Sequence, residues 1–106
     1  MENKPICDVD ENGTKYWYLN GKYHREDGPA IIFASGNLFW YKNGIQHRID
    51  GPAIEWTNGH TSWIINGHLV TELIGEWAKD HEIDLDNLTE VDKLLIKLTW
   101  SDYGKV

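Results

Sequence analysis

The sequence predicts an α+β protein, mainly antiparallel β. A meander of short hairpins built from an internal repeat is followed by two C-terminal helices packed on it. Three observations predict this. The segments HREDGPAII (residues 24–32) and HRIDGPAIE (residues 47–55) are near copies 23 residues apart. Trp17, Trp40 and Trp63 keep the same step, as do Asn20-Gly21, Asn43-Gly44 and Asn66-Gly67. After Val70 the apolar period changes from 2 to 3.6, the signature of a switch from strand to helix.

Residues 1–12 are polar and acidic and read as a loose N-terminal segment carrying the single cysteine, Cys7. They hold no apolar run of the kind a secretory signal needs, which points to the cytoplasm. Residues 13–70 form the repeat sheet: two full copies and a third that breaks off after Asn66-Gly67. Asn-Gly between aromatic and β-branched runs is a strong hairpin cue, because both central residues of a type I′ turn need φ > 0. Ser35-Gly36 and Asn58-Gly59 supply a second turn in each unit, read here as two-residue turns. Pro29 and Pro52 cannot donate to a ladder, so the Asp-Gly-Pro triplets mark corners.

Two-residue turns set the register. Around the Asn-Gly turns they pair Tyr18 with Tyr23, Tyr16 with Arg25, Tyr41 with Gln46, Phe39 with Arg48 and Ile64 with Leu69. Around the second turns they pair Ile31 with Trp40 and Ile54 with Trp63. One face then gathers Trp17, His24, Ile31, Phe33, Leu38, Trp40, His47, Ile54, Trp56, Trp63 and Val70 as a core. In the third copy Val70 stands where His24 and His47 stand, which a packing slot tolerates and a catalytic or metal site does not. The other face gathers Tyr16, Tyr18, Tyr23, Arg25, Phe39, Tyr41, Gln46 and Arg48, the candidate binding residues. Aromatic rings beside arginines suit both cation–π contacts and interfaces. Ile64 and Leu69 would be covered by the helices.

Residues 71–106 form the acidic cap. Thr71 is the expected N-cap of a first helix running to about Asp80, with Leu73, Ile74, Trp77 and Ala78 on its apolar side. Asn87 with Glu90 suggests a capping pair for a second helix reaching about Trp100. There Leu88, Val91, Leu94, Leu95 and Leu98 form the stripe expected to pack on the sheet. A partner helix is the other use for that stripe.

The net charge of −7 is unevenly spread. Residues 71–106 carry four lysines against nine acids, while residues 14–70 carry five basic residues against four acids. Counterion release from nucleic acid needs a basic surface, so direct nucleic-acid binding is not expected. No run approaches a membrane span, and one cysteine is too few for a metal cluster. No nucleophile–base pair, carboxylate pair or phosphate loop stands out, so neither enzyme activity, cofactor nor metal is expected.

The 23-residue step and the Asn-Gly-x-x-His core resemble MORN repeats. The run WYKNGIQHRIDGPAIEWTNG looks like a MORN-like variant of large bacteriophages and giant viruses, marked by Asn-Gly-x-x-His-Arg-x-Asp-Gly-Pro-Ala. The resemblance covers residues 13–70. It implies an antiparallel repeat sheet and a viral protein that binds a host or viral protein without catalysis. An inhibitor of a host defence or regulatory protein is the sharper form of that expectation. Arg25 and Arg48 depart from the usual unit, which has glycine after the histidine, so membrane-tethering roles of MORN proteins do not carry over. The alternative reading is an oligomeric binder that sequesters a small nucleotide-like ligand on the Tyr/Arg face. Open sheet edges also allow copies to pair into a homo-oligomer.

Overall fold

The computed structural model describes residues 4–105, with extents of 44 × 35 × 24 Å. The described residues form eleven strands and two helices, an α+β fold. The strands are β1 (Ile6–Val9), β2 (Lys15–Leu19), β3 (Lys22–Tyr23), β4 (Ile31–Ile32), β5 (Leu38–Phe39), β6 (Tyr41–Lys42), β7 (Ile45–Gln46), β8 (Ile54–Glu55), β9 (Thr61–Ser62), β10 (Ile64–Ile65) and β11 (His68–Leu69). The helices are α1 (Thr71–Asp80) and α2 (Glu90–Trp100). All strand pairings are antiparallel.

The Asn-Gly turns form as the sequence implies. Asn20, Asn43 and Asn66 have φ of 53°, 53° and 51°, followed by glycines at 77°, 80° and 81°. They close three hairpin tips, β2–β3, β6–β7 and β10–β11, with Tyr18 facing Tyr23, Tyr41 facing Gln46 and Ile64 facing Leu69. The tips are stitched together at the repeat step. Arg25 N–H donates to the Tyr41 carbonyl (3.2 Å) and Arg48 N–H to that of Ile64 (3.2 Å). Gly44 N–H donates to the Tyr23 carbonyl (2.8 Å) and Gly67 N–H to that of Gln46 (2.9 Å). A second tier runs β1-β2-β4-β5-β8-β9.

The second-tier turns differ from the expectation. Phe33 N–H donates to the Asn37 carbonyl (3.0 Å) and Trp56 N–H to that of His60 (3.0 Å), leaving three-residue loops, 34–36 and 57–59. Gly36 and Gly59 sit at φ of 102° and 90°, which a three-residue loop ending in a left-handed residue requires. One extra loop residue slips the pairing by one and turns side chains to the other face. Ile31 therefore faces Phe39, not Trp40, and Ile54 faces Ser62, not Trp63. Tyr16, Ile31, Phe39, Ile54 and Ser62 make one row across the tier, so the core face read from the sequence does not form as one surface.

The sheet also begins earlier than residue 13. Glu11-Asn12-Gly13 is a third such loop, with Asp10 N–H on the Thr14 carbonyl (3.0 Å) and Gly13 at φ 89°. It folds β1 onto β2, so Cys7 is an exposed strand residue opposite Trp17, not part of a loose end.

The helices pack on the third copy. Ile65, Val70, Ile74 and Ile96 are fully buried together beside Trp63, with Trp77 and Trp100 against them. Trp77 and Trp100 meet edge to face at 5.9 Å. Three details of the cap correct the sequence reading. Thr71 is not the N-cap of α1: Val70 holds that place, and the Thr71 hydroxyl accepts Trp63 N–H (2.9 Å). Thr89, not Asn87, caps α2, in a reciprocal pair with Asp92 at 3.1 Å each way. The stripe Val91, Leu94, Leu95 and Leu98 points to solvent, at 74, 56, 38 and 74% exposure, while Ile96 and Trp100 on the opposite side enter the core. Leu69 is likewise exposed, and Ile64 packs with Ala53 and Ile54 instead of under the helices. No helix among the described residues is long and apolar enough to cross a membrane.

Candidate functional site

Alternation along β2 sends Tyr16 and Tyr18 to one side and Lys15, Trp17 and Leu19 to the other. Cross-strand pairing then brings Tyr23 beside Tyr18, and tip-to-tip stitching brings Tyr41 beside Tyr23. The four rings form a continuous ladder. Centroids lie 6.2 Å apart for Tyr16–Tyr18, 6.1 Å for Tyr16–Tyr23, 5.0 Å for Tyr18–Tyr23 and 5.3 Å for Tyr23–Tyr41. Each ring is half-buried by its neighbours. Gln46, opposite Tyr41, continues the same face toward exposed Leu69. The helices do not cover it, because they pack against Ile65 and Val70, and Ile65 alternates with Ile64 onto the other side.

The rim of the ladder is acidic. Asp8 lies across from Tyr16 and Ile6 across from Tyr18. Asp10 accepts from the Tyr16 hydroxyl (3.2 Å) and also holds the first loop through Asn12 N–H (2.9 Å) and Thr14 N–H (3.0 Å). Burial, with the Asp10 bond and charge added, raises the Tyr16 pKa above its usual value. Burial, the Tyr23 hydroxyl and the Asp8 charge raise that of Tyr18. Both phenols stay protonated donors, and the local field favours cations.

Of the eight candidate residues, the structure brings Tyr16, Tyr18, Tyr23, Tyr41 and Gln46 together on this face, leaves Phe39 on the Tyr16 row beyond Ile31 and outside the ladder, and takes the two arginines elsewhere. Phe39 meets Phe33 (5.0 Å) and Trp56 (6.3 Å) edge to face. Arg25 lies 3.9 Å over Trp17, bonded to Asp27 (3.0 Å) and the Pro29 carbonyl (3.2 Å). Arg48 lies 3.8 Å over Trp40, bonded to Asp50 (2.9 Å), the Pro52 carbonyl (3.1 Å) and Glu55 (3.4 Å). The expected Tyr16–Arg25 and Phe39–Arg48 pairs do not form, and the arginines clamp the Asp-Gly-Pro corners instead. Ile6, Asp8 and Asp10 were missed. The signal for them was Gly13, in step with Gly36 and Gly59, which marks a hairpin reaching back into residues 6–9.

The histidines join repeats. His24 Nδ1 accepts Asn43 N–H (3.0 Å), and His47 Nδ1 accepts Asn66 N–H (2.8 Å), each in the Asn-Gly turn of the next copy. The third copy has no successor to hold, which accounts for Val70.

Comparison with protein-family models, curated proteins and solved structures returns no match.

Proposed function

We propose that this chain is a non-enzymatic protein-binding module whose docking face is the tyrosine ladder. The observation that carries this reading is the uncovered run Tyr16–Tyr18–Tyr23–Tyr41 with Asp8 and Asp10 at its rim. Tyrosine supplies large contact area at low entropic cost and is enriched at interfaces. Ring faces beside carboxylates select arginine and lysine, through cation–π contact and charge pairing. The partner is therefore a protein presenting a basic segment. The resemblance of the repeat to MORN-like units of large bacteriophages supports a host protein as that partner, bound in order to inhibit it.

The test is native mass spectrometry of the tagged chain recovered from bacterial lysate, run with Y18A/Y23A and with L94E/L98E. A stoichiometric protein lost with Y18A/Y23A, kept with L94E/L98E, and cross-linked by carbodiimide from Asp8 or Asp10 to its own lysines is the expected result. A partner kept by Y18A/Y23A and lost by L94E/L98E overturns it and moves the interface to α2.

A further inference from the structure

The repeat contains its own control experiment. At the first junction the His24 ring is fully satisfied. Because Nδ1 accepts a backbone N–H, the ring proton sits on Nε2, which lies 3.1 Å from Glu26 Oε1. The other oxygen of Glu26 lies 3.5 Å from Lys42 Nζ. At the second junction His47 takes the same tautomer for the same reason. One repeat on from Glu26, however, the chain has Ile49. Among the described residues no carboxylate lies within ion-pair distance of His47, and its Nε2–H is left without the acceptor that its counterpart has.

That ring lines a cavity of about 370 Å³ between the β6–β7 tip and the C-terminal end of α2. Its cationic lining is Lys42, Lys97 and Lys105, its apolar floor includes Ile45 and Ile49, and among the described residues no carboxylate lines it. Three of the ten basic side chains of an acidic protein therefore converge on one space. Lys42 is shared with Glu26 and Lys105 with Asp102 (3.3 Å). Lys97 has no carboxylate within ion-pair distance among the described residues. A lysine in a last helical turn complements the helix dipole, which accounts for Lys97. It does not account for Lys105, which lies beyond α2, or for Lys42, which comes from the β6–β7 hairpin of the second copy.

We infer that this cavity binds a small phosphate-bearing molecule, whose oxygen takes on His47 Nε2–H the place that Glu26 takes on His24. Several converging ammonium groups favour a multiply charged oxyanion over a single carboxylate, and the Ile45–Ile49 floor accommodates a ring or alkyl group attached to it. Burial first, then Lys42 and Lys105, hold the His47 pKa below its usual value against a smaller opposing pull from the Glu26 charge, so at neutral pH the ring is neutral and Nε2 remains its one donor. This inference is independent of the tyrosine ladder: the cavity lies on the helix side of the tips.

The test is calorimetric titration of the full chain with pyrophosphate and, separately, with adenosine monophosphate. Two variants are compared with the parent. I49E places a resident carboxylate at the position Glu26 occupies in the first copy, and K97E reverses one lining charge on an exposed helical site. The expected result is saturable one-to-one binding of at least one probe, weakened about tenfold or more by either variant and unchanged by Y18A/Y23A. Tighter binding of the nucleotide than of pyrophosphate assigns the apolar floor to the base; the reverse assigns the site to the oxyanion alone. Should I49E fail to fold, K97E, checked by circular dichroism, decides alone. No saturation by either probe at about 10 mM, or equal affinity in the parent and K97E, overturns the inference.

Discussion

Gly51 lacks a side chain because Arg48 occupies the space one would take. A Cβ built there falls 2.5 Å from the guanidinium carbon, and at Gly28 the same atom falls 2.7 Å from that of Arg25. Neither glycine has a positive φ, so the backbone would accept alanine and only the arginine objects. G51A is expected to expel the guanidinium from Trp40, Asp50 and the Pro52 carbonyl, at a cost of about 1–2 kcal/mol. In an R48A background the same substitution should be neutral or stabilising by about 0.5 kcal/mol, since alanine narrows the unfolded ensemble. Denaturant unfolding of the four proteins completes the cycle, and additive costs would refute the clamp. His47 gives a pH-dependent counterpart. Its pKa is lowered in the folded state, so the unfolded chain binds the proton more readily. The contribution of His47 is then full above its ordinary value of 6.5 and is lost as pH falls through the lower, folded value. The urea midpoint should drop between about pH 7.5 and pH 5, and His47→Gln should flatten part of that drop.

At the scale of elements, the copies are joined by side chains that cap the backbone of their successors. Thr14 Oγ1 accepts Ala34 N–H (3.0 Å), and 23 residues on Asn37 Oδ1 accepts Thr57 N–H (2.9 Å). Thr14 is buried, so Thr14→Val, which keeps the shape and removes the acceptor, should cost about 1–3 kcal/mol in chemical unfolding. A loss near zero would mean that water replaces the hydroxyl. The same scale explains which features were legible in the sequence. Asn-Gly turns are local, because two adjacent residues with φ > 0 define them, and all three tips came out in register. The Ser35-Gly36 and Asn58-Gly59 turns were not, because a glycine with positive φ ends a three-residue loop as readily as it enters a two-residue one. That one-residue ambiguity put Ile31 and Ile54 on the row of Tyr16 and Phe39 instead of with the tryptophans, and so reversed part of the core. For α2 the difficulty was different: Ile96 with Trp100 and Val91 with Leu94, Leu95 and Leu98 are both apolar stripes at helical spacing. Periodicity cannot choose between two such faces; the partners Ile65, Val70 and Trp77 do. I96A should therefore cost about 2–5 kcal/mol by leaving a cavity, whereas L94E/L98E should stay within about 0.5 kcal/mol per site. Equal losses would place the leucines in the core.

Across the whole molecule, apolar burial is concentrated at one end. The large, fully buried side chains Ile65, Val70, Ile74 and Ile96 belong to the third copy and the helices, and Ala53, Ile54 and Ile64 form a second, smaller cluster with Phe39, Trp40 and Trp56. The opposite end buries only Ala30 and Ile31 among its described apolar side chains and is otherwise held by half-exposed tyrosines and by β1, every residue of which is exposed. Each copy contacts chiefly its neighbours, so stability should accumulate along the array as in other repeat proteins. Local opening then starts where the fewest apolar contacts resist it. Amides of β1 and of the Asn20-Gly21 tip should exchange fastest, those of β5 and β8 at intermediate rates, and those of β10, Ile74 and Ile96 only through global unfolding. Native-state hydrogen exchange in low denaturant reads this order directly. The tyrosine ladder lies at the loose end, so a bound partner should slow exchange there first. A single uniform protection across all three copies would show instead that the histidine and Thr14/Asn37 tethers couple the array into one cooperative unit. In that case Thr14→Val should lower protection at Ile96 as much as at Tyr18.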